Sequence, residues 1–332
     1  MNRLDRVAFP LVAVTWALLV VGASVRVHGA GLACPDWPLC FGEVVPRIDF
    51  GVAFEFGHRV FAGLVSLGFL GLAGAVIVRR KQVGRLPVAL VAIAAVVLAV
   101  QIVLGGLTVL RLLAEWTVAS HLLAGNTFCL LLLLLALSLR DGAVAPVRAA
   151  VTPVQRAASV ALAAVVPVQL VLGGLVSSSH AGLVCGTWPT CDGTSIAPTL
   201  SGLVGLQVFH RFVAYALVLA ALTALATARA GRSRRAAALV ALAVLVQASL
   251  GIANVLLGLP VELALLHNAG AGAVVLSTGG YVWETWRAPL EASAPVGVAR
   301  AKPMGLPRFL LRSRGCSWVP RNREASSART RQ

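Results

Sequence analysis

Glu55-Phe56-Gly57-His58-Arg59 lies a few residues inside an apolar stretch, and Gln207-Val208-Phe209-His210-Arg211 repeats it at an offset of 152. Ionisable side chains are expensive in hydrocarbon; where they occur they face a bundle interior or a cavity and have a partner there. Two questions follow: whether these stretches cross a membrane, and what their histidines meet.

Composition settles the first. Of 332 residues, 58% are hydrophobic and 12% charged, against about 25% charged in a soluble domain. Ala8 to Val25, Leu86 to Val109 and Ala236 to Leu257 each reach the run of about 20 apolar residues that crosses a bilayer core. Eight spans are expected, near 8–26, 52–78, 86–109, 117–139, 155–177, 203–228, 236–257 and 263–286. The first lacks a convincing cleavage site and is followed by seven more, so it reads as a retained span and not as a signal peptide. No soluble catalytic domain remains.

The net charge of +16 would suit nucleic acid if it were spread over one surface, but its placement says otherwise. Twenty-three of the 28 basic residues fall at the N-terminus, in alternate loops and from Arg287 onward, while the opposite loops hold only Arg26, Arg47 and Arg111. By the positive-inside rule both termini are expected in the cytoplasm of a plasma (inner) membrane protein. The basicity is read as topology, with no nucleic-acid partner.

The outer loops carry a second repeat. Cys34-Pro-Asp-Trp-Pro-Leu-Cys40 recurs as Cys185-Gly-Thr-Trp-Pro-Thr-Cys191, preceded at the same interval by Ala30-Gly31-Leu32 and Ala181-Gly182-Leu183. Further on, Gln101-x-x-Leu104-Gly105 aligns with Gln247-x-x-Leu250-Gly251 and His121 with His267, both at an offset of 146. The expected fold class is all-α integral membrane, with eight transmembrane helices forming two tandem four-helix bundles, 1–139 and 155–287, joined by a cytoplasmic linker, 140–154. An even number of spans per half makes the halves parallel. The basic tail 288–332 has no helical period and is expected to be largely disordered, with anionic lipid headgroups as its ligand.

His58, His121, His210 and His267 sit four to seven residues from the outer ends of their expected spans, about 6 to 11 Å deep at 1.5 Å per residue. Neutral imidazole is a common metal ligand, and two such ligands facing each other across a bundle core hold a haem well. The bland reading is four polar residues hydrogen-bonding between helices; duplication and shared depth weigh against it. Zinc sites place histidines close together on one helix, or cysteines two to four residues apart, and neither spacing occurs here.

Each cysteine pair is read as an intraloop disulfide, since the outer loops face an oxidising compartment and Trp-Pro turns can bring the sulfurs together; free thiols are the alternative. Cys129 reads as packing and Cys316 as a free thiol in the tail. Glu55 precedes His58 by three residues where Gln207 precedes His210. Residues three apart share a helix face, so Glu55 is expected to point at the cavity of His58 and to move protons there. A salt bridge to Arg59 is the competing reading. The difference suggests one working and one supporting half.

Together, the Glu-x-x-His-Arg motif, the two cysteine loops, His121, His210, His267 and the eight-span repeat resemble the haem A synthase family, in its bacterial form with both cysteine pairs, over residues 8–286. The resemblance implies that His210 and His267 ligate a permanent haem b, the cofactor. It implies that His58 and His121 bind the substrate haem O, that Glu55 is needed for turnover, and that Cys34 and Cys40 assist activity or haem handling. The implied reaction oxidises the C8 methyl group of haem O through hydroxylation to the formyl group of haem A, for terminal oxidase assembly. Haem O synthase, oxidase assembly factors and a second copy of the chain are further candidate partners beside the lipid bilayer. Two other readings stay open: a membrane di-haem b-type electron-transfer protein, against which only Glu55 speaks, and a haem carrier.

Overall fold

The computed structural model describes residues 4–143 and 146–291. Its helices are Asp5–Val27 (α1), Phe50–Val78 (α2), the single turn Arg80–Val83 (α3), Arg85–Leu110 (α4), Glu115–Ala143 (α5), Pro153–Ser178 (α6), Gly202–Thr227 (α7), Gly231–Leu256 (α8) and Val261–Arg287 (α9). All but α3 are long and apolar enough to cross a membrane, and no strand occurs among the described residues. The chain is an all-α, multi-pass integral membrane protein. Helices satisfy their own backbone groups, which is what hydrocarbon demands.

Local chemistry sets the helix starts. The Asp49 carboxylate accepts from the Val52 amide at 2.8 Å and caps α2, the usual work of an Asp at that position. Thr152 caps α6 in the same way, with Pro153 at the first helical position, where its missing N–H costs nothing. Gly84, at φ 85°, makes the break between α3 and α4.

Several boundaries differ from expectation. Helix α8 starts at Gly231 and not near 236, because the arginines of its first turn find partners, Arg232 in the Glu284 carboxylate and Arg234 in the Ala228 carbonyl. Helix α5 continues past 139 to Ala143, so Arg140 and Asp141 are helical and not part of a linker. The first residues of the expected tail are held in place: Val151 and Leu290 form a parallel bridge, with Val151 N–H donating to Pro289 and Glu291 N–H to Val151, both at 2.9 Å. Residues 292–332, with Cys316, lie outside the described residues.

Helices α1, α2, α4 and α5 share one buried core, built around Phe69, Val76, Leu132 and Leu135. Helices α6 to α9 share another, around Leu162, Ala224, Val240 and Tyr281. Between them α1 packs on α9, and α5 on α6 and α9; there Trp16 Nε1 donates to the Ala269 carbonyl at 3.1 Å. Leu64, Leu67, Val96 and Leu219 stay exposed, as side chains facing lipid do.

At the helix ends remote from the cysteine loops, buried Asp141 and Glu284 collect arginines. Arg148 bonds both, through Nη2 to Asp141 and through Nε to Glu284 at 2.9 Å, while Arg232 reaches Glu284 at 2.9 Å and Trp283 Nε1 donates to Asp141 at 2.9 Å. This cluster ties α5, the connection to α6, α8 and α9 together.

Candidate functional site

The four histidines occupy matching places. His58 and His210 lie eight residues into α2 and α7, His121 and His267 six residues into α5 and α9, about 12 and 9 Å from the helix starts. That is deeper than expected, because α2, α5, α7 and α9 begin before the apolar runs do. The helices of His58 and His121 contribute to the first core, and those of His210 and His267 to the second.

Every one of these rings rests on a glycine of the preceding long helix. The Cε1 atoms stand 3.0 Å (His58 over Gly22 and His121 over Gly105) or 3.1 Å (His210 over Gly173 and His267 over Gly251) from the point a glycine Cβ would occupy. Any larger residue would push the imidazole away, so glycine here serves close approach. Each glycine is five residues from the end of its helix.

One turn before three of these glycines stands a glutamine. The amide nitrogens of Gln101 and Gln169 approach Nε2 of His121 and His210 at 3.3 and 3.5 Å, and Gln247 donates to the backbone carbonyl of His267 at 2.9 Å. Leu18 stands at the corresponding place below Gly22. The sequence reading used Gln101 and Gln247 as repeat markers but missed Gln169 and the role of the glycines. The signal was there, in Gln169-Leu-Val-Leu172-Gly173, a third copy of the same pentapeptide pattern.

All four Nδ1 atoms are buried and unpaired. Leaving such a group unsatisfied costs about 1–3 kcal/mol, so four of them in one layer point to a ligand. On each histidine helix the first fully buried member of the two large cores is Val65, Phe128, Leu217 or Val274, in every case seven residues past the histidine. Among the described residues no three His, Cys, Asp or Glu side chains gather as a metal site, whereas a bare zinc ion asks for three or four protein ligands. Buried imidazoles with unpartnered nitrogens suit a macrocycle that brings its own equatorial ligands, and the residues present fit haem.

The loops above are fastened by the neighbours of the histidines. Cys34–Cys40 and Cys185–Cys191 are disulfides. Arg59 donates to the carbonyls of Leu39 at 2.6 Å and Asp36 at 2.9 Å, and Arg211 to those of Cys185 at 2.9 Å and Thr190 at 3.0 Å. Glu55 is buried, pairs with Arg59 at 2.6 Å and accepts the Cys34 N–H at 2.9 Å; Gln207 instead donates to the Gly182 carbonyl at 3.2 Å. The ion pair left open by the sequence is therefore present, and the hydrogen bonds of Glu55 run to Arg59 and the loop, not to His58. A carboxylate accepts about four hydrogen bonds, so Glu55 keeps capacity for water or substrate. Cys129 is buried against α1, its Sγ 3.7 Å from the Val12 carbonyl, in a packing role.

Known proteins are similar to this chain over most of its length. The family model COX15-CtaA, described as cytochrome oxidase assembly protein, matches residues 5–53 and 48–278. Curated relatives named "Heme A synthase" include one from Shewanella oneidensis, 31% identical with 79% of this chain and 91% of the relative covered. Another, from Methylobacterium radiotolerans, is 32% identical over 80% of this chain and 86% of the relative, and one from Methylorubrum extorquens is 31% identical over 87% and 88%. The family match over most of the chain and relatives of this similarity show that the chain belongs to the haem A synthase family.

Proposed function

We propose that the protein is a haem A synthase that oxidises the C8 methyl group of haem O to the formyl group of haem A. In this reading residues 1–139 and 155–287 are two four-helix halves. His58 and His121 hold haem O as substrate in the first, and His210 and His267 hold haem b in the second. When bound, haem b supplies one-electron transfer at a potential tuned by its two imidazoles and its burial.

The observation that carries the assignment of halves is the exchange of Glu55 for Gln207 in an otherwise duplicated frame. Oxidising a methyl group on a macrocycle releases protons and builds positive charge beside the ring. A carboxylate one turn from the ligating histidine can take a proton and oppose that charge; a glutamine can do neither. Arg59 and the Cys34 amide fix where Glu55 stands, and the glycine seats fix the imidazoles.

The same reading places the cysteine loops outside the plasma membrane and both termini in the cytoplasm, and takes haem O synthase, oxidase assembly factors and a second copy of the chain as candidate partners. Co-expression with a haem O supply, followed by chromatography of the extracted haems, tests it: haem A is expected beside haem B. Haem B alone in fixed amount would instead favour the electron-transfer protein, a reading that the Glu55–Arg59 ion pair supports. A variable, exchangeable load would favour a haem carrier.

A further inference from the structure

We infer that Trp37, seated on Gly106, is a positioning residue that closes the first histidine pair on the side of the disulfide loop, and that the second pair has no such closure. This rests on the proposed binding of haem O between His58 and His121.

The indole lies face-on against α4. Its Cδ2, Cε3 and Cε2 atoms stand 3.0, 3.1 and 3.2 Å from the point where a Gly106 Cβ would be, so three adjoining ring atoms share one distance to the helix. Gly106 is the neighbour of Gly105, on which His121 rests. On the other side, Arg59, the neighbour of His58, grips the carbonyls of Asp36 at 2.9 Å and Leu39 at 2.6 Å, with a longer contact to Pro38 at 3.5 Å. Those carbonyls bracket Trp37. Glu55 holds the Cys34 amide, and the disulfide closes the loop from Cys34 to Cys40. The helix that bears His58 and the helix that seats His121 are thereby linked to one aromatic side chain.

The second half has the loop, its disulfide, its arginine and Trp188, but Ile252 stands 146 positions after Gly106. A branched side chain there replaces the bare backbone that seats Trp37. A substrate must load, stay for its reaction and leave, whereas a resident cofactor stays. The wall that differs between the halves belongs to the site that turns over, and an aromatic side chain suits a flat aromatic guest.

The test uses the full-length protein, purified in detergent after co-expression with a haem O supply, with excess apomyoglobin as haem acceptor. Transfer is followed by the acceptor's absorption and by chromatography of the haem left behind. Trp37→Ala and Gly106→Ile are expected to release haem O about tenfold faster, the size of an aromatic contact, with the haem b spectrum and its retention unchanged. Trp37→Phe, which keeps a ring face, should restore slow release. Unchanged haem O release in both variants overturns the inference while leaving the proposed function intact, and so does equal acceleration of haem b loss. A protein that retains haem b yet takes up no haem O sinks the functional reading and this inference with it.

Discussion

The imidazole of His210 lies against Gly173 of the neighbouring helix, its Cε1 3.1 Å from where a Cβ would stand. Gly173→Val fills that space and must tilt the ring out of line with His267. The expected result is loss of the resident haem b absorption from a protein that still inserts in the membrane. Gly22→Val, which displaces His58 instead, should leave that absorption in place and end turnover.

Ligand removal divides the four histidines more directly. His210→Ala and His267→Ala should abolish the haem b spectrum, whereas His58→Ala and His121→Ala should preserve much of it and stop haem A formation. Reduced-minus-oxidised difference spectra of membranes are enough to see this. Equal loss from all four would contradict the proposed division between the halves.

Glu55→Gln keeps an oxygen that can accept the Cys34 N–H, so the disulfide loop should stay fastened and haem b bound. Haem A production should fall by about 10²- to 10⁴-fold, the range of general acid–base assistance. Near-normal production would reduce Glu55 to the partner of Arg59.

Arg148 bonds Asp141 and Glu284, whose side chains are 4% and 9% exposed, and is itself 9% exposed. Arg148→Ala leaves two buried carboxylates short of a cation, a change that costs about 3–5 kcal/mol in buried pairs; the remaining contacts of Arg140 and Arg232 should hold the loss at the lower end. Thermal unfolding in detergent should show a lower midpoint. If the midpoint does not move, the cluster does not hold α5, α8 and α9 together.

Backbone amides of Ser195 and Thr194 bond the exposed Asp192 carboxylate and hold its pKa below the usual value. A depressed carboxylate contributes stability above its unfolded pKa, about 3.9, and loses it as the pH falls through the lower folded value. The turn after Cys191 should therefore be intact at neutral pH and loosen only in strong acid. Amide chemical shifts of residues 194 and 195 would follow it, and in Asp192→Asn that dependence should vanish.

Much of this was legible in the chain. Long apolar runs fixed the number and type of the helices, because a membrane permits few alternatives to a helix, and the offsets of 152 and 146 exposed the duplication. The histidines stood out since polar groups are rare in hydrocarbon. The partner of Glu55 was not settled: positions 52, 58 and 59 all lie one turn from it, and only the path of the cysteine loop decides that Arg59 and Cys34 engage it. The glycine seats were hidden as well, because a missing side chain is informative only when its neighbour on another helix is known. The hold of Arg148 on α5 and α9 joins residues 136 positions apart, and no local pattern announces it.

The five-residue step from each seating glycine to its helix end, followed by a histidine six or eight residues into the next long helix, recurs four times and not twice. The smallest thing this chain repeats is a two-helix hairpin. Long connections with disulfides alternate with short turns, which obscures the kinship of neighbouring hairpins while leaving that of alternate ones plain. Such a pattern is what two successive doublings of an ancestral hairpin would leave.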